Sequence, residues 1–548
     1  MNVTEAMVKI LKLEGIEWAS CFPNNPLIEE MAKQKIRPVA FRHERGGGMA
    51  ADGYSRMNDR QKFGVFVMQS QAGAENSVGA LSQAYADNIP ILVLPGAPAV
   101  SRLNVRPEFH AVPIYKNVTK QIETIYTIED VIPVMRRAFN ALRNGPPGPV
   151  VVETPSDIAS KELPEELFST YSSPQTALTA PSKSNIKEAV KTLLAAKKPV
   201  IWAGQGVLFA QATEQLRELA ELTEIPVFTS MPGKSAIDER HPLSLGAGSE
   251  STTLPARTWV QESDVLFAIG SSLTNTPYGQ SIPKGKSIIQ NTINPDDINK
   301  DQSVEIGLIG DAKLTLEAII DEVKGQIGEK GRKGSTSVHK EIADLKQQWL
   351  NEWMPLLTSN EEPINQYRLI WEINQNIDLE NSVITHDAGA PREGLVPFFT
   401  ATAPHSYIGW GKTTHLGFGI PLMIGAKQAF PEKFCMNYMG DGAFGMSGLD
   451  IETSVRAQIP ITTIVLNNGG MATYPGRFPT ARTEYGVSHM LGNYAQIAEG
   501  MGATGIVVSK TNEIAGALKK AQQLNKEGKT VLLDIHTNME GRRSSWDR

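Results

Sequence analysis

A chain of 548 residues is too long for one hydrophobic core, so several domains of ordinary size are expected. Its composition, 41% hydrophobic and 20% charged, excludes a disordered or fibrous chain. A formal net charge of −6 excludes a general pull toward nucleic acid or an anionic membrane, and two isolated cysteines, Cys21 and Cys435, exclude a disulfide framework or a zinc cluster and fit the cytoplasm.

The opening, Met1-Asn2-Val3-Thr4-Glu5-Ala6, brings an acidic residue and an amphipathic helical pattern rather than a secretion signal. No apolar stretch approaches the roughly 20 residues of a membrane span. Residues 63–68, 91–94 and 149–153 read as buried strands of a first domain, 1–165. The Ser-, Thr- and Pro-rich stretch 169–183 marks a linker. Strands at 199–203, 265–269 and 287–290 build a middle domain, 183–327, and the polar run 328–338 is a second linker. Strands at 382–385, 434–438, 462–466 and 530–534 then organise a third domain, 361–548. Strands alternating with helical segments predict an α/β fold of three doubly wound parallel-sheet domains.

The strand ending at Tyr438 runs into Met439-Gly440-Asp441-Gly442-Ala443-Phe444-Gly445, with a helix expected from Leu449 to Ala457. Glycines at a strand-to-helix turn let a ligand approach the backbone, and amides at a helix start favour a phosphate. Asp441 stands beside them to hold a divalent cation. The next strand ends in Asn467-Asn468-Gly469-Gly470, which delivers amide and carbonyl oxygens to the same sheet edge. Carboxylate, amide, carbonyl and phosphate oxygens are the set magnesium prefers. Alone, Gly-Asp-Gly is commonly a turn and Asn-Asn-Gly-Gly a loop; separated by the 24 residues of one helix and one strand, they make one site.

The run from Gly440-Asp441-Gly442 to Asn467-Asn468 resembles the cofactor motif of thiamine-diphosphate enzymes of the acetolactate synthase, pyruvate oxidase and benzoylformate decarboxylase type. The resemblance implies pyrimidine-binding, middle and diphosphate-binding domains in that order. It makes Asp441, Asn468 and the Gly470 carbonyl ligands of Mg2+, with Gly440, Gly442, Ala443, Phe444 and Met471 against the cofactor. The segment Phe41-Arg42-His43-Glu44 through Ala51-Asp52-Gly53-Tyr54-Ser55-Arg56 resembles the family's glutamate segment, so Glu44 would hydrogen-bond the aminopyrimidine and activate it. Taken alone, Glu44 reads as a solvated acid paired with Arg42 or Arg45. His415-Leu416-Gly417-Phe418-Gly419 resembles the segment that bends the cofactor, with Leu416 as the prop and the Thr414 carbonyl accepting from the 4′-amino group. The family builds its site between two subunits, which implies a homodimer, often paired into a homotetramer.

Several positions depart from the family pattern. Cys21-Phe22-Pro23-Asn24-Asn25 replaces a Gly-x-Pro-Gly turn and points Asn25 toward substrate. Met68 to Asn76 stands where relatives carry a Ser-Gly-Pro-Gly-like turn. Glu108-Phe109-His110 stands where acetolactate synthases have Phe-Gln, making His110 a candidate proton donor, although a lone loop histidine is more often structural. Tyr474 replaces an acidic residue that pyruvate-decarboxylase relatives use in product release, which favours carboligation. Glycine turns at Gly204, Gly206, Gly270 and Gly310 resemble segments that hold FAD or ADP, without the arginine of flavin-binding relatives at the Gly270 loop. Arg542 and Arg543 lie in a tail that closes over substrate in acyl-CoA-using relatives, while a frayed, solvated tail is the plainer expectation. The function expected is a carboligase or decarboxylase of 2-oxo acids, acetolactate-synthase-like. A 2-hydroxyacyl-CoA lyase or oxalyl-CoA-type decarboxylase, acting on an acyl-CoA, and a flavin-dependent pyruvate-oxidase-like oxidoreductase are the alternatives.

Overall fold

Runs of β-branched and aromatic residues between glycine-rich turns suit strands buried on both faces, and here they form the centres of three six-stranded sheets. The computed structural model describes residues 1–279, 281–334, 337–471 and 476–546. In the first sheet the strands lie in the order Arg37–Ala40, Trp18–Cys21, Gly64–Met68, Ile91–Ala97, Val150–Pro155, Gln121–Thr124. The second runs Ile306–Ile309, Ser287–Thr292, Val265–Ile269, Val200–Ala203, Val227–Ser230, Ser244–Gly248. The third runs Tyr407–Ile408, Ser382–His386, Phe434–Gly440, Thr462–Asn467, Val531–His536, Thr504–Val508. Neighbouring strands are parallel throughout, so the α/β expectation holds. The first and third sheets share one strand order; the middle sheet has the other common doubly wound order.

Three local features differ from the sequence reading. The chain is already helical from Asp441 to Ser447, with Asp441 in the first turn and Gly440 at the N-cap, and again from Asp450 to Arg456. An unanticipated helix, Val338–Leu357, buries Trp349 and Trp353 against Phe398, with ring centroids 4.6 and 4.9 Å apart. The tail is docked through Trp546 rather than frayed: the Thr252 amide donates to the Ser544 carbonyl at 2.7 Å, and the Trp546 indole donates to the Ser249 carbonyl at 2.8 Å and meets Phe228 edge-on. Those bonds and that ring contact replace the solvation a free tail would have.

The first and third domains meet through the helices Glu44–Met57 and Gly419–Ala429, which touch backbone to backbone. A Cβ on Gly53 would lie 2.2 Å from the Leu422 carbonyl oxygen, and one on Gly425 2.0 Å from that of Ala50. Beside this crossing, buried Arg56 pairs with Asp52 and Asp87 at 2.5 and 2.8 Å and donates to the Gly409 carbonyl. Asp87 in turn accepts the amides of Gly411 and Lys412. The loop leading to Leu416 is thereby anchored on the first domain. Among the described residues, no helix is long and apolar enough to cross a membrane.

Candidate active site

In the third sheet the connections reverse direction between Ser382–His386 and Phe434–Gly440, and a crevice opens beyond the carboxyl ends of these strands. A cavity of ≈ 320 Å³ fills it. Gly440, Asp441, Gly442 and Ala443 reach it from one strand end, Asn468, Gly470 and Met471 from the next, and Thr414 and Leu416 from the loop opposite. The sequence motifs thus converge on one space.

Asp441 accepts the Gly442 amide at 2.8 Å and, through its other oxygen, the Gly470 amide at 3.1 Å. The Asn468 side-chain oxygen accepts that same Gly470 amide at 3.2 Å. Carboxylate and amide oxygens therefore point at one spot. Burial pushes Asp441 up to about 6, with only backbone amides opposing the shift. A buried carboxylate supported by neutral donors alone is short of a cation. Among the described residues no group of three His, Cys, Asp or Glu side chains is poised for a metal, so the donors present suit a hard cation that takes its remaining oxygens from a ligand. Gly440 and Gly442 differ from the packing glycines: a Cβ on either would meet nothing closer than 4.0 and 3.7 Å, so their backbone is bare toward the cavity.

The opposite wall is held by Asp387. Its carboxylate accepts the amides of Ala388, Gly417 and Gly419 at 2.9 to 3.1 Å, which fixes the turn around half-buried Leu416. Thr414 adopts a left-handed φ of 52°, a strained conformation of the kind found where a loop is shaped for a ligand.

Glu44 opens its helix and is 3% exposed, with its carboxylate accepting from Asn76 at 3.0 Å. The solvated ion-pair reading does not hold, because Arg42 pairs with Glu452 and Arg45 donates to the Met446 carbonyl. Glu44 is not in the cavity wall of its own chain, nor is Phe444, which packs edge-on against Tyr494. Asn25 caps the helix Pro26–Lys33 and donates to the carbonyls of Met68 and Leu94 at 2.8 and 3.2 Å, so its amide is engaged with backbone. His110 lies with Nε2 3.1 Å from Glu153, whose carboxylate also takes the Ala111 amide and the Thr124 hydroxyl. Tyr474 lies outside the described residues.

Sequence reasoning missed Arg392, Glu393, Glu250 and Tyr278, which also line the cavity, together with Arg477. It had named Arg543, now found in the wall 3.6 Å from Glu250. A second cavity of ≈ 200 Å³ lies at the reversal point of the middle sheet, beside Gly204, Gly206, Gly270, Asn291 and Asp311. Its glycines serve loop packing, since a Cβ on Gly204 would stand 2.3 Å from the Gly270 carbonyl.

Three family models match the chain: the N-terminal binding domain of thiamine pyrophosphate enzymes over residues 1–123, the central domain of these enzymes over 186–319, and their C-terminal binding domain over 387–535. The chain is 29% identical to a probable acetolactate synthase large subunit of Methanococcus aeolicus, covering 95% of this chain and 90% of that protein. It is 29% identical to the corresponding Methanocaldococcus jannaschii protein, over 98% and 92% of the two chains. To the acetolactate synthase isozyme 3 large subunit of Escherichia coli it is 28% identical, over 98% and 94%.

Proposed function

This chain belongs to the thiamine pyrophosphate enzymes, and we propose that within them it is an acetolactate-synthase-like carboligase. Two 2-oxo acid anions and one proton give one 2-hydroxy-3-oxo acid anion and carbon dioxide. The observation that carries the reading is the convergence of Asp441 and Asn468 oxygens on one amide, at the foot of a crevice whose glycines are bare. Relatives that bear the acetolactate synthase name align along nearly the whole length.

Thiamine diphosphate, when bound with magnesium, supplies the electron sink for decarboxylation that amino-acid side chains lack. Asp441, Asn468 and the Gly470 carbonyl would hold the cation in this reading, and the uncrowded backbone at Gly440 and Gly442 would leave room for the diphosphate. Leu416 and Thr414, which line the cavity, would contact the cofactor's ring portion, Leu416 through its side chain and Thr414 through its carbonyl. Glu44, buried beside Asn76, would hydrogen-bond the aminopyrimidine and so assist its activation. Glu44 and Asp441 come from different copies of the chain in a cytoplasmic homodimer or homotetramer. The division into domains 1–165, 183–327 and 361–548 belongs to the same proposal, supported by one sheet in each. An ADP- or flavin-type nucleotide in the middle-domain cleft is also proposed, and the colour of the purified protein separates the two.

The test is a panel of 2-oxo acids with magnesium and thiamine diphosphate, following carbon dioxide and acyloin-type product. Turnover with at least one donor is expected, falling about 10²- to 10⁴-fold in Glu44→Gln while cofactor still binds. No product from any donor, or an undiminished rate in that variant, refutes the reading.

A further inference from the structure

Arg392 is the third residue of the helix Ala390–Phe398 and lines the active-site cavity although it is only 3% exposed. An arginine so placed must have its five donors met, and one edge is: Nε donates to Glu393 at 2.6 Å, and Glu393 is itself steadied by the Ser249 hydroxyl at 3.0 Å. The guanidinium carbon lies over the ring of Tyr278, 5.1 Å from its centroid, and Tyr278 also lines the cavity. Among the described residues, Nη1 is buried without a hydrogen-bond partner, a costly condition for a charged donor.

Where that donor ends decides what it meets. A Cβ built on Gly411 would lie 3.9 Å from Nη1 and 3.7 Å from the Cα of Thr414, so the two residues flank one point. Thr414 and Leu416 mark the ring end of the proposed cofactor site, and Asp441 and Asn468 its phosphate end. The free donor is thus at the reacting end. Held by Glu393 on one side and Tyr278 on its face, the guanidinium is oriented before any ligand arrives, so a carboxylate meeting it needs no reorganisation of the protein.

On the proposed carboligase reading, we infer that Arg392 is the receptor for a carboxylate that the substrate keeps through the reaction. A carboxylate that departs as carbon dioxide is a poor ligand for it, because a charge-assisted bond made in the ground state and lost as the charge leaves would raise the barrier. Two sources fit: the carboxylate of the acceptor 2-oxo acid, or a second carboxylate on the donor.

The experiment compares wild type with Arg392→Gln and Arg392→Lys, both loaded with magnesium and thiamine diphosphate. Apparent KM is measured for a 2-oxo acid acceptor and for the matching aldehyde, and for mono- and dicarboxylic donors. Removing the arginine should raise KM at least about tenfold for the carboxylate-bearing partner and leave the carboxylate-free one nearly unchanged, with lysine intermediate. The acceptor pair shifting alone assigns the acceptor; the donor pair shifting alone assigns the donor. Because Gln leaves Glu393 without its cation, the lysine variant alone decides if Arg392→Gln does not fold. Calorimetric binding of an unreactive 2-hydroxy acid keeps the two proposals apart. Binding weakened by the substitutions in a protein that turns over no 2-oxo acid retains the anion receptor and overturns the carboligase. Undetectable binding to wild type, equal binding to all three proteins, or a tenfold loss confined to cofactor affinity overturns the receptor.

Discussion

In the folded chain Asp441 is lifted from its ordinary 3.8 to about 6 by burial, so between those values the native state holds a proton that the unfolded chain has released. Stability contributed by this group therefore falls as pH rises through that window. Binding of the cation works in the opposite sense, since the metal needs the carboxylate and competes with the proton. Magnesium-dependent affinity for thiamine diphosphate should drop about tenfold per pH unit below about pH 6 and be flat above it. Calorimetric titration between about pH 5 and about pH 7 reads this directly. Asp441→Asn should weaken affinity at least about tenfold and abolish the slope. A wild-type profile that stays level down to about pH 5 would remove Asp441 from the metal. The same residue shows why this half of the site was legible: a glycine turn, a carboxylate and a following Asn-Asn are local patterns. Arg392 is not a local pattern. Its meaning depends on Tyr278, Glu393 and Gly411, which only the fold brings to one guanidinium.

At the scale of elements, the crossing of Glu44–Met57 with Gly419–Ala429 places the two outer domains, and it depends on missing side chains. Alanine is the better helix former by up to about 1 kcal/mol, so Gly→Ala in a helix ordinarily stabilises. At Gly425 the new Cβ would lie 2.0 Å from the Ala50 carbonyl oxygen and 2.8 Å from its carbon, which forces the helices apart. Gly425→Ala should therefore cost about 1–3 kcal/mol net. Gly516, on the exposed face of the helix Ile514–Lys526, has nothing within 4 Å and provides the contrast. Gly516→Ala should be neutral or raise the melting temperature. Calorimetry of the two variants decides, and Gly425→Ala melting at or above wild type would show that the contact relaxes. Such contacts were invisible in the sequence, as were several short strands. Arg37–Ala40, Gln121–Thr124, Tyr407–Ile408 and Thr504–Val508 lie at sheet edges, and most are only partly buried, so they lack the continuous apolar run that exposed Val265–Ile269 or Val531–His536 to inspection.

The whole molecule poses a problem that one chain does not solve. Glu44 and Asp441 are both buried and, among the described residues, neither makes an ion pair, yet Glu44 is absent from the wall of the cavity that Asp441 helps to form. Shortly after the Gly440-Asp441-Gly442 turn the surface carries Met446 at 44% and Leu449 at 60% exposure, both large apolar side chains. Two copies related by a twofold axis satisfy both observations if the first domain of one meets the third domain of the other. The arrangement has an arithmetic consequence. At cofactor concentrations well below what Asp441→Asn needs, Glu44→Gln and Asp441→Asn are each nearly inactive alone on the proposed function, but a mixed dimer would contain one site with both defects and one with neither. Random reassortment of equal amounts makes half the dimers mixed, so activity should return to about a quarter of wild type. Sites contained within single chains would return nothing on mixing, because every chain still carries a defect. Co-refolding or co-expression of the two variants, with activity measured against total protein, separates the outcomes, and sedimentation of the same sample shows whether dimers formed.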